Sequence, residues 1–157
     1  EALPLFFREP DNKNGVAPLT SMFLRGENSV DDLLDFRPET HDSDGLLIAS
    51  GTGEWIWRLL DNPDRLRVSS FALDNTRGFG LLQRDRNFDH FQDLEARPDR
   101  RPSVWVAPEG DWGAGRIELV QIPTRSDVND NVVAYWVPNR PQPPRGEAME
   151  FAYELFW

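Results

Sequence analysis

The residues best suited to chemistry in this chain lie together in the stretch Arg37-Pro38-Glu39-Thr40-His41-Asp42-Ser43-Asp44-Gly45. A cation, three carboxylates, an imidazole and two hydroxyls stand there, directly before the apolar run Leu46-Leu47-Ile48. This concentration of titratable groups at a strand entrance indicates acid–base chemistry. Asp, Ser and Gly are also ordinary turn residues, so a simple turn is the alternative.

Glycoside hydrolysis is a reaction that needs two carboxyl groups, one protonated and one ionised. The chain has 27 Asp and Glu residues, most of which must be solvated surface groups. Composition alone therefore selects no pair. The candidates are Asp42, Asp44, Glu54, Asp85, Asp89, Asp93, Asp127 and Asp130.

Aromatic residues are abundant for a chain of this size, with six Trp and ten Phe. Sugar rings stack on indole faces, so some of these side chains are candidates for lining a saccharide cleft. Aromatic residues serve more often as core, and we expect at least half of these Trp and Phe residues to be buried.

Two motifs raise the question of a metal. Asp127-Val128-Asn129-Asp130-Asn131 matches a calcium-binding run of cadherin-type β modules, which keeps a calcium-stabilised adhesion module as an alternative. Asp42-Ser43-Asp44-Gly45 begins like an EF-hand loop, but Leu46 and Leu47 replace the later ligands. His41 and His90 lack a third zinc ligand at useful spacing, and the chain has no cysteine. We therefore expect no metal and no other cofactor.

Length and charge narrow the class of protein. A chain of 157 residues suits one domain with a real core, and no apolar run is long enough for a membrane span. The formal net charge of −10 disfavours nucleic acid and anionic membranes as partners. The chain starts Glu1-Ala2-Leu3-Pro4, without a methionine or a signal peptide, as expected of a mature form or a fragment.

The elements that must position the candidate residues are predicted to be β-strands. Short alternating runs are separated by Gly, Pro, Asn and Asp turns, and no long segment has helical periodicity, a pattern typical of an all-β sandwich or barrel. In residues 54–58, Trp55 and Trp57 should share one face and Ile56 the other. Strands are predicted at residues 46–49, 54–58, 66–71, 78–83, 102–106, 116–122, 132–137 and 149–157, with shorter segments at 3–7 and 20–24 and one helical turn at 29–36.

Several longer motifs resemble the periplasmic glucan biosynthesis proteins G and D, over nearly everything from residue 20 to Trp157. They are Arg37-Pro38-Glu39-x-His41-Asp42-Ser43-Asp44-Gly45-Leu46, Gly53-Glu54-Trp55-Ile56-Trp57-Arg58, Gly78-Phe79-Gly80-Leu81-Leu82-Gln83-Arg84-Asp85-Arg86-Asn87-Phe88, Arg100-Arg101-Pro102-Ser103-x-Trp105-Val106, Trp112-Gly113-x-Gly115, Ile122-Pro123-Thr124 and Asp130-Asn131-Val132-Val133-Ala134-Tyr135-Trp136. The stretch 94–98 departs from the family, in which an aromatic residue is expected near Pro98.

The resemblance implies an all-β fold with few or no long helices, the C-terminal half of a large galactose-mutarotase-like β-sandwich, or supersandwich. Residues 1–157 would be part of a glucan-binding or catalytic domain, without its N-terminal half and without the immunoglobulin-like domain that follows it in the family. The missing parts of the same protein would then be partners of this chain, because half a sandwich leaves unpaired edges.

The resemblance also implies a periplasmic protein of Gram-negative bacteria that acts on osmoregulated glucans with a β-1,2-linked backbone. The family includes inverting β-1,2-glucanases, in which the matching positions make Asp130 the general acid and Asp42 the general base. A non-catalytic protein that binds or guides the glucan is the alternative. Substrate-binding roles are implied for His41, Asp44, Trp55, Trp57, Arg84, Arg101 and Trp105.

Those two roles make physical demands on the aspartates. Asp130 precedes an apolar strand, where burial would favour the protonated form that an acid needs. Asp42 stands close in sequence to His41 and Arg37, and a neighbouring cation would keep a base ionised.

Overall fold

The computed structural model describes residues 15–27, 29, 35–140 and 148–157, and most of its ordered elements are β-strands. The predicted strand at 3–7 and most of the predicted helical turn at 29–36 lie outside the described residues. The strands are β1 (Val16–Ser21), β2 (Phe23–Arg25), β3 (Thr40–His41), β4 (Gly45–Ser50), β5 (Trp55–Leu59), β6 (Arg67–Leu73), β7 (Thr76–Leu82), β8 (Val104–Pro108), β9 (Gly115–Gln121), β10 (Val132–Pro138) and β11 (Tyr153–Phe156). The described residues add one four-residue helix, α1 (Phe88–Phe91), and a 3₁₀ turn at Pro98–Arg100, so the predicted all-β fold without long helices is confirmed.

The strands form two larger antiparallel sheets and one small sheet. One sheet has the order β1-β10-β9-β6, and the other has the order β11-β8-β7-β4-β5. The short strands β2 and β3 pair with each other. β1 and β2 are separated by Met22 alone, so one continuous segment leaves the four-stranded sheet and enters the small one.

A single apolar core joins the two larger sheets. Leu46 and Ile48 of β4 and Phe79 of β7 belong to the same buried cluster as Ile117 of β9 and Trp136 of β10. Alternate residues of a strand point to opposite faces, and these apolar residues occupy the inward positions. Burial of this shared face is what holds the sheets together as a two-layer sandwich.

The outward face of the five-stranded sheet carries indoles. Trp57 lies opposite Leu47 and Trp55 opposite Ala49, while Ile56 lies opposite the core residue Ile48, so the predicted division of faces in β5 is confirmed. The expectation that at least half of the Trp and Phe residues are buried is wrong for the described residues, where the buried ones are Phe23, Phe79, Phe91, Trp112 and Trp136. The reason is topological, since Trp55, Trp57 and Trp105 all stand at outward positions of one sheet.

Glycines create the space for this aromatic face. A Cβ at Gly45 would lie 2.0 Å from the ring of Trp57, and one at Gly78 would lie 2.3 Å from the ring of Trp105. Both indoles therefore rest directly on the backbone of the neighbouring strand. Neither of the helical elements described is long or apolar enough to cross a membrane.

Candidate functional site

Asp42 occupies the turn between β3 and β4 as a partly buried carboxylate. Its backbone N–H donates to the carbonyl of Met22 at 2.9 Å. Its side chain is 26% exposed, and Nε of Arg101 lies 3.2 Å from its Oδ1 atom. Asp42 is thus anchored through its backbone and paired with one guanidinium through its side chain.

Asp130 reaches the same region from the other sheet. It stands at the end of the loop before β10 and is exposed, and the hydroxyl of Thr20 donates to its Oδ2 atom at 2.5 Å. The next residue, Asn131, donates its backbone N–H to the carbonyl of Ser21 at 3.1 Å.

The segment 20–22 therefore brings the two aspartates together. Ser21 and Met22 are consecutive residues, and their carbonyls accept from Asn131 and Asp42 respectively. The chain at Asp42 and the chain at Asp130 flank this segment as neighbouring strands would, which sets their backbones roughly 10 Å apart. Neither motif alone predicts that Asp42 and Asp130 lie near each other, because their placement depends on a third segment, residues 20–22.

Asn131 fixes the end of the loop that carries Asp130. Its side-chain amide donates to the carbonyls of Phe23 and Ile122 at 3.0 and 2.9 Å, and its Oδ1 atom accepts from the N–H of Phe23 at 2.8 Å. The side chain is buried. The sequence did not reveal this anchoring role of Asn131, because its partners include Phe23, far away in the chain.

Burial raises the pKa of Asp42, and neighbouring charges modify this effect, Arg101 and Asp130 more than the others. The Arg101 guanidinium opposes the rise, while the negative charge of Asp130 adds to it. The two carboxylates thus lie close enough to interact through their charges. Asp130, for which burial was expected, is the exposed member of the pair in the chain as described.

Arg37 does not take the place beside Asp42 that its sequence position suggested. Its guanidinium binds Asp35, Asp93 and Asp127 instead, and Arg101 supplies the cation next to Asp42. Successive residues of an extended chain point in different directions, which explains why Arg101, and not Arg37, lies beside Asp42.

His41 lies beneath the site and is only 1% exposed. Its Nε2 atom is 2.8 Å from Glu39 Oε2, and its Nδ1 atom is 2.9 Å from Gln83 Oε1. The amide of Gln83 donates to the carbonyls of His41 and Pro98, both at 3.3 Å, which keeps Oε1 turned toward the ring. Both ring nitrogens are thus occupied, so His41 offers no free nitrogen to a sugar in this arrangement.

Asp44 closes the turn after β7. Its Oδ2 atom accepts from the backbone N–H groups of Arg84 and Asp85 at 3.1 and 3.2 Å, while its Oδ1 atom is buried without a partner among the described residues. A cavity of about 630 Å³ opens here, with His41, Asp44 and Arg84 in its wall. Asp42 and Asp130 do not line this cavity, so it lies beside the pair.

The remaining residues predicted to bind substrate form the aromatic face of the five-stranded sheet. The rings of Trp55 and Trp105 are 5.9 Å apart, and the guanidinium of Arg84 stacks on Trp57 at 4.3 Å. Because Arg84 also lies 3.8 Å from Asp44, this face begins near the Asp42 turn and extends away from it. Flat aromatic surfaces of this kind suit the C–H faces of sugars.

Two groups of residues have the composition of a metal site. Glu39, Asp85 and His90 bring ligand atoms within 4.8 Å of one another. However, Asn87 Nδ2 lies 3.0 Å from Nε2 of His90, which places the imidazole proton on Nδ1, where it bonds to Asp85 at 2.6 Å. In the run 127–131, Asp127 is paired with Arg37 and the amide of Asn131 is fully used. His90, Asp127 and Asn131 are thus already engaged by protein groups, which counts against the calcium alternative.

Two packed antiparallel sheets, a pair of aspartates at one end and an outward aromatic face define a β-sandwich protein with an acidic site. Comparison with known sequences gives the family: the profile described as "Periplasmic glucan biosynthesis protein, MdoG" matches residues 2–157. The chain therefore belongs to the periplasmic glucan biosynthesis protein family, and the predicted membership is confirmed.

Among the curated relatives are proteins named glucans biosynthesis protein G. The one from Ralstonia nicotianae is 60% identical over 153 residues, and the one from Pseudomonas paraeruginosa is 54% identical over 153 residues. These matches cover 98% of this chain but only 30% and 29% of the respective relatives. The chain thus spans less than a third of the length of these relatives.

Proposed function

We propose that this chain acts in the synthesis or remodelling of periplasmic glucans, as the names of its family and relatives suggest. The proposed reaction is inverting hydrolysis of a β-1,2-linked glucan, with Asp130 as general acid and Asp42 as general base. The linkage and the roles rest on the family resemblance. The placement of Asp42 and Asp130 in the structure supports the choice of these two residues independently.

The main observation behind the proposal is that Asp42 and Asp130 flank the same segment, residues 20–22. Inverting glycosidases hold their carboxyl groups about 6.5–9.5 Å apart, with a water molecule between one carboxylate and the sugar. Backbones on the two sides of one strand, roughly 10 Å apart, suit such a gap. The environments of the two aspartates also differ, but burial raises the pKa of Asp42, the proposed base, whereas Asp130, the proposed acid, is exposed, so the division of roles between them is taken from the family resemblance.

Arg101 supports the assignment of Asp42 as base. A general base must be ionised before it can accept a proton from water, and burial alone works against ionisation. The guanidinium at 3.2 Å stabilises the charged form. Thr20 engages one oxygen of Asp130, and the other is available to hold the proton that would pass to the leaving group.

Hydrolysis of linear β-1,2-glucan by the intact protein, followed as new reducing ends, tests the proposal. We expect Asp42→Asn and Asp130→Asn each to lower kcat by about 10²- to 10⁴-fold, while Asp64→Asn, an exposed turn acid, has no effect. A substrate with a strongly acidic leaving group should rescue Asp130→Asn but not Asp42→Asn, because only the acid becomes dispensable. Hydrolysis by both variants at the wild-type rate would rule out the pair.

A second candidate function, glucan binding without hydrolysis, is favoured by the aromatic face. Trp55, Trp57 and Trp105 present indoles on one surface, which is sufficient for holding a polymer. In that case, wild type would bind β-1,2-glucan in calorimetry without cleaving it. The triple change of these tryptophans to Ala would abolish binding, whereas Leu66→Ala, an exposed apolar residue outside this face, would not.

We further propose that other segments of the same protein complete the sandwich. The edge strand β11 is exposed along its whole length, including Leu155 and Phe156, and edge strands of this kind are normally paired or covered. The family name also supports a periplasmic location.

A further inference from the structure

Arg37 is the centre of a cluster that joins three separate parts of the chain. Its Nη1 atom lies 2.9 Å from Asp93 Oδ2 and 2.8 Å from Asp127 Oδ2. Its Nη2 and Nε atoms bind both oxygens of Asp35 at 2.6 to 3.1 Å. Arg37, Asp35 and Asp93 are each less than a fifth exposed, so water screens these contacts only partly.

One of these partners stands on the loop that carries a proposed catalytic group. Asp127 precedes Asp130 by one short turn of the loop between β9 and β10. Elsewhere this loop is held by Thr124, whose N–H donates to Asn62 Oδ1 at 3.0 Å, and at its end by Asn131. Between these two points Arg37 anchors the loop at Asp127, and Thr20 binds Asp130 itself.

Arg37 supplies the positive charge that holds the carboxylates of the cluster close together. Three carboxylates converge on this guanidinium, and without it they would repel one another. Asp127 is the most exposed of the three, at 33%, and it belongs to a loop. It is therefore the carboxylate with the most freedom to move away, taking the chain before Asp130 with it.

We propose that Arg37 is a positioning residue, which holds the Asp130 loop in place by binding Asp127. The expected effect of Arg37 on the reaction rate rests on the hydrolysis proposed above. The structural part of the proposal, that Arg37 orders residues 125–130, stands separately. Because the guanidinium of Arg37 binds three carboxylates, we assign it no role at the reacting atoms.

Kinetics of the intact protein test the catalytic part. We expect Arg37→Gln and Asp127→Asn each to lower kcat by about 10- to 100-fold with KM nearly unchanged, since a displacement of about 1 Å can cost that much. The double variant should lose no more than either single one, because both remove the same contact. Arg37→Lys should recover part of the rate. Arg97→Gln, which removes a guanidinium that binds Asp99 within its own turn, is the matched control.

Hydrogen exchange of the same variants tests the structural part. Residues 125–130 should exchange faster in Arg37→Gln than in wild type or Arg97→Gln, with strands β9 and β10 unchanged. Unchanged exchange, or an unchanged kcat in Arg37→Gln, would overturn the proposal. If wild type does not hydrolyse glucan, the proposed function fails, and exchange alone then decides whether Arg37 positions the loop.

Discussion

The guanidinium of Arg101 lies 3.2 Å from the carboxylate of Asp42 and counteracts the rise in the pKa of Asp42 that burial causes. The first prediction follows from this pair. In Arg101→Ala the pKa of Asp42 should rise further, so a reaction that needs Asp42 ionised should begin only at higher pH. We expect the acid limb of kcat/KM to move to higher pH, measured between about pH 4 and pH 8.

Lysine at position 101 should restore most of the acid limb, because it keeps the charge while losing the guanidinium geometry. Arg100→Ala is the control, since Arg100 is a neighbouring residue that is paired with Asp99 instead. An acid limb that stays in place in Arg101→Ala would mean that Asp42 does not limit the reaction at low pH.

The second prediction concerns the two histidines. His41→Ala should lower the free energy of unfolding by about 3 kcal/mol, because it leaves the buried groups of Glu39 and Gln83 without a partner and opens a cavity. His90→Ala removes an exposed ring and should cost much less stability than His41→Ala. Urea unfolding of the intact protein measures both, and equal losses would contradict the structural role of His41.

The third prediction compares two asparagines of the same loop. The side chain of Asn131 makes three hydrogen bonds to backbone groups in a buried position, whereas Asn129 is exposed. Asn131→Ala should destabilise the protein by about 2–3 kcal/mol, and Asn129→Ala by less than about 0.5 kcal/mol. Thermal melts of the two variants side by side test this difference. Asn131→Asp should also be costly, because a carboxylate cannot donate to the carbonyls of Phe23 and Ile122.

The fourth prediction concerns the glycine beneath Trp57. A Cβ at Gly45 would overlap the indole, so Gly45→Ala should lift Trp57 from the sheet and separate it from Arg84. We expect weaker glucan binding and a red-shifted tryptophan emission. Thr52→Ala, in the exposed turn at the far end of β4, should change neither. Unaltered emission in Gly45→Ala would show that the sheet, and not the ring, had moved.

The strands could be predicted because their signals are local. Alternation places Ile56 inward and its two Trp neighbours outward, and Gly-rich or Pro-rich turns mark where strands end. The two-residue strand β3 was missed since so short an element has no period to detect. β11 is shorter than the predicted strand at 149–157.

The contacts of the site are long-range, and they could not be predicted from the residues themselves. The family resemblance singled out Asp42 and Asp130, but the role of residues 20–22 between them depends on how β1 pairs with β10 and β2 with β3. The presence of Arg101 beside Asp42, where Arg37 was expected, also depends on how distant parts of the chain pack. Side-chain direction is set by the fold, and spacing along the chain does not reveal it.

The hydrogen bond between Thr20 and Asp130 joins residues that are 110 positions apart. Closing so long a loop is entropically costly, and contacts of high sequence separation generally form late in folding. The pair of aspartates should therefore be assembled only after both sheets exist, and during synthesis only once the last of these segments has emerged. If the chain hydrolyses glucan as proposed, that activity would report complete folding, since the two carboxylates come together only in the assembled fold.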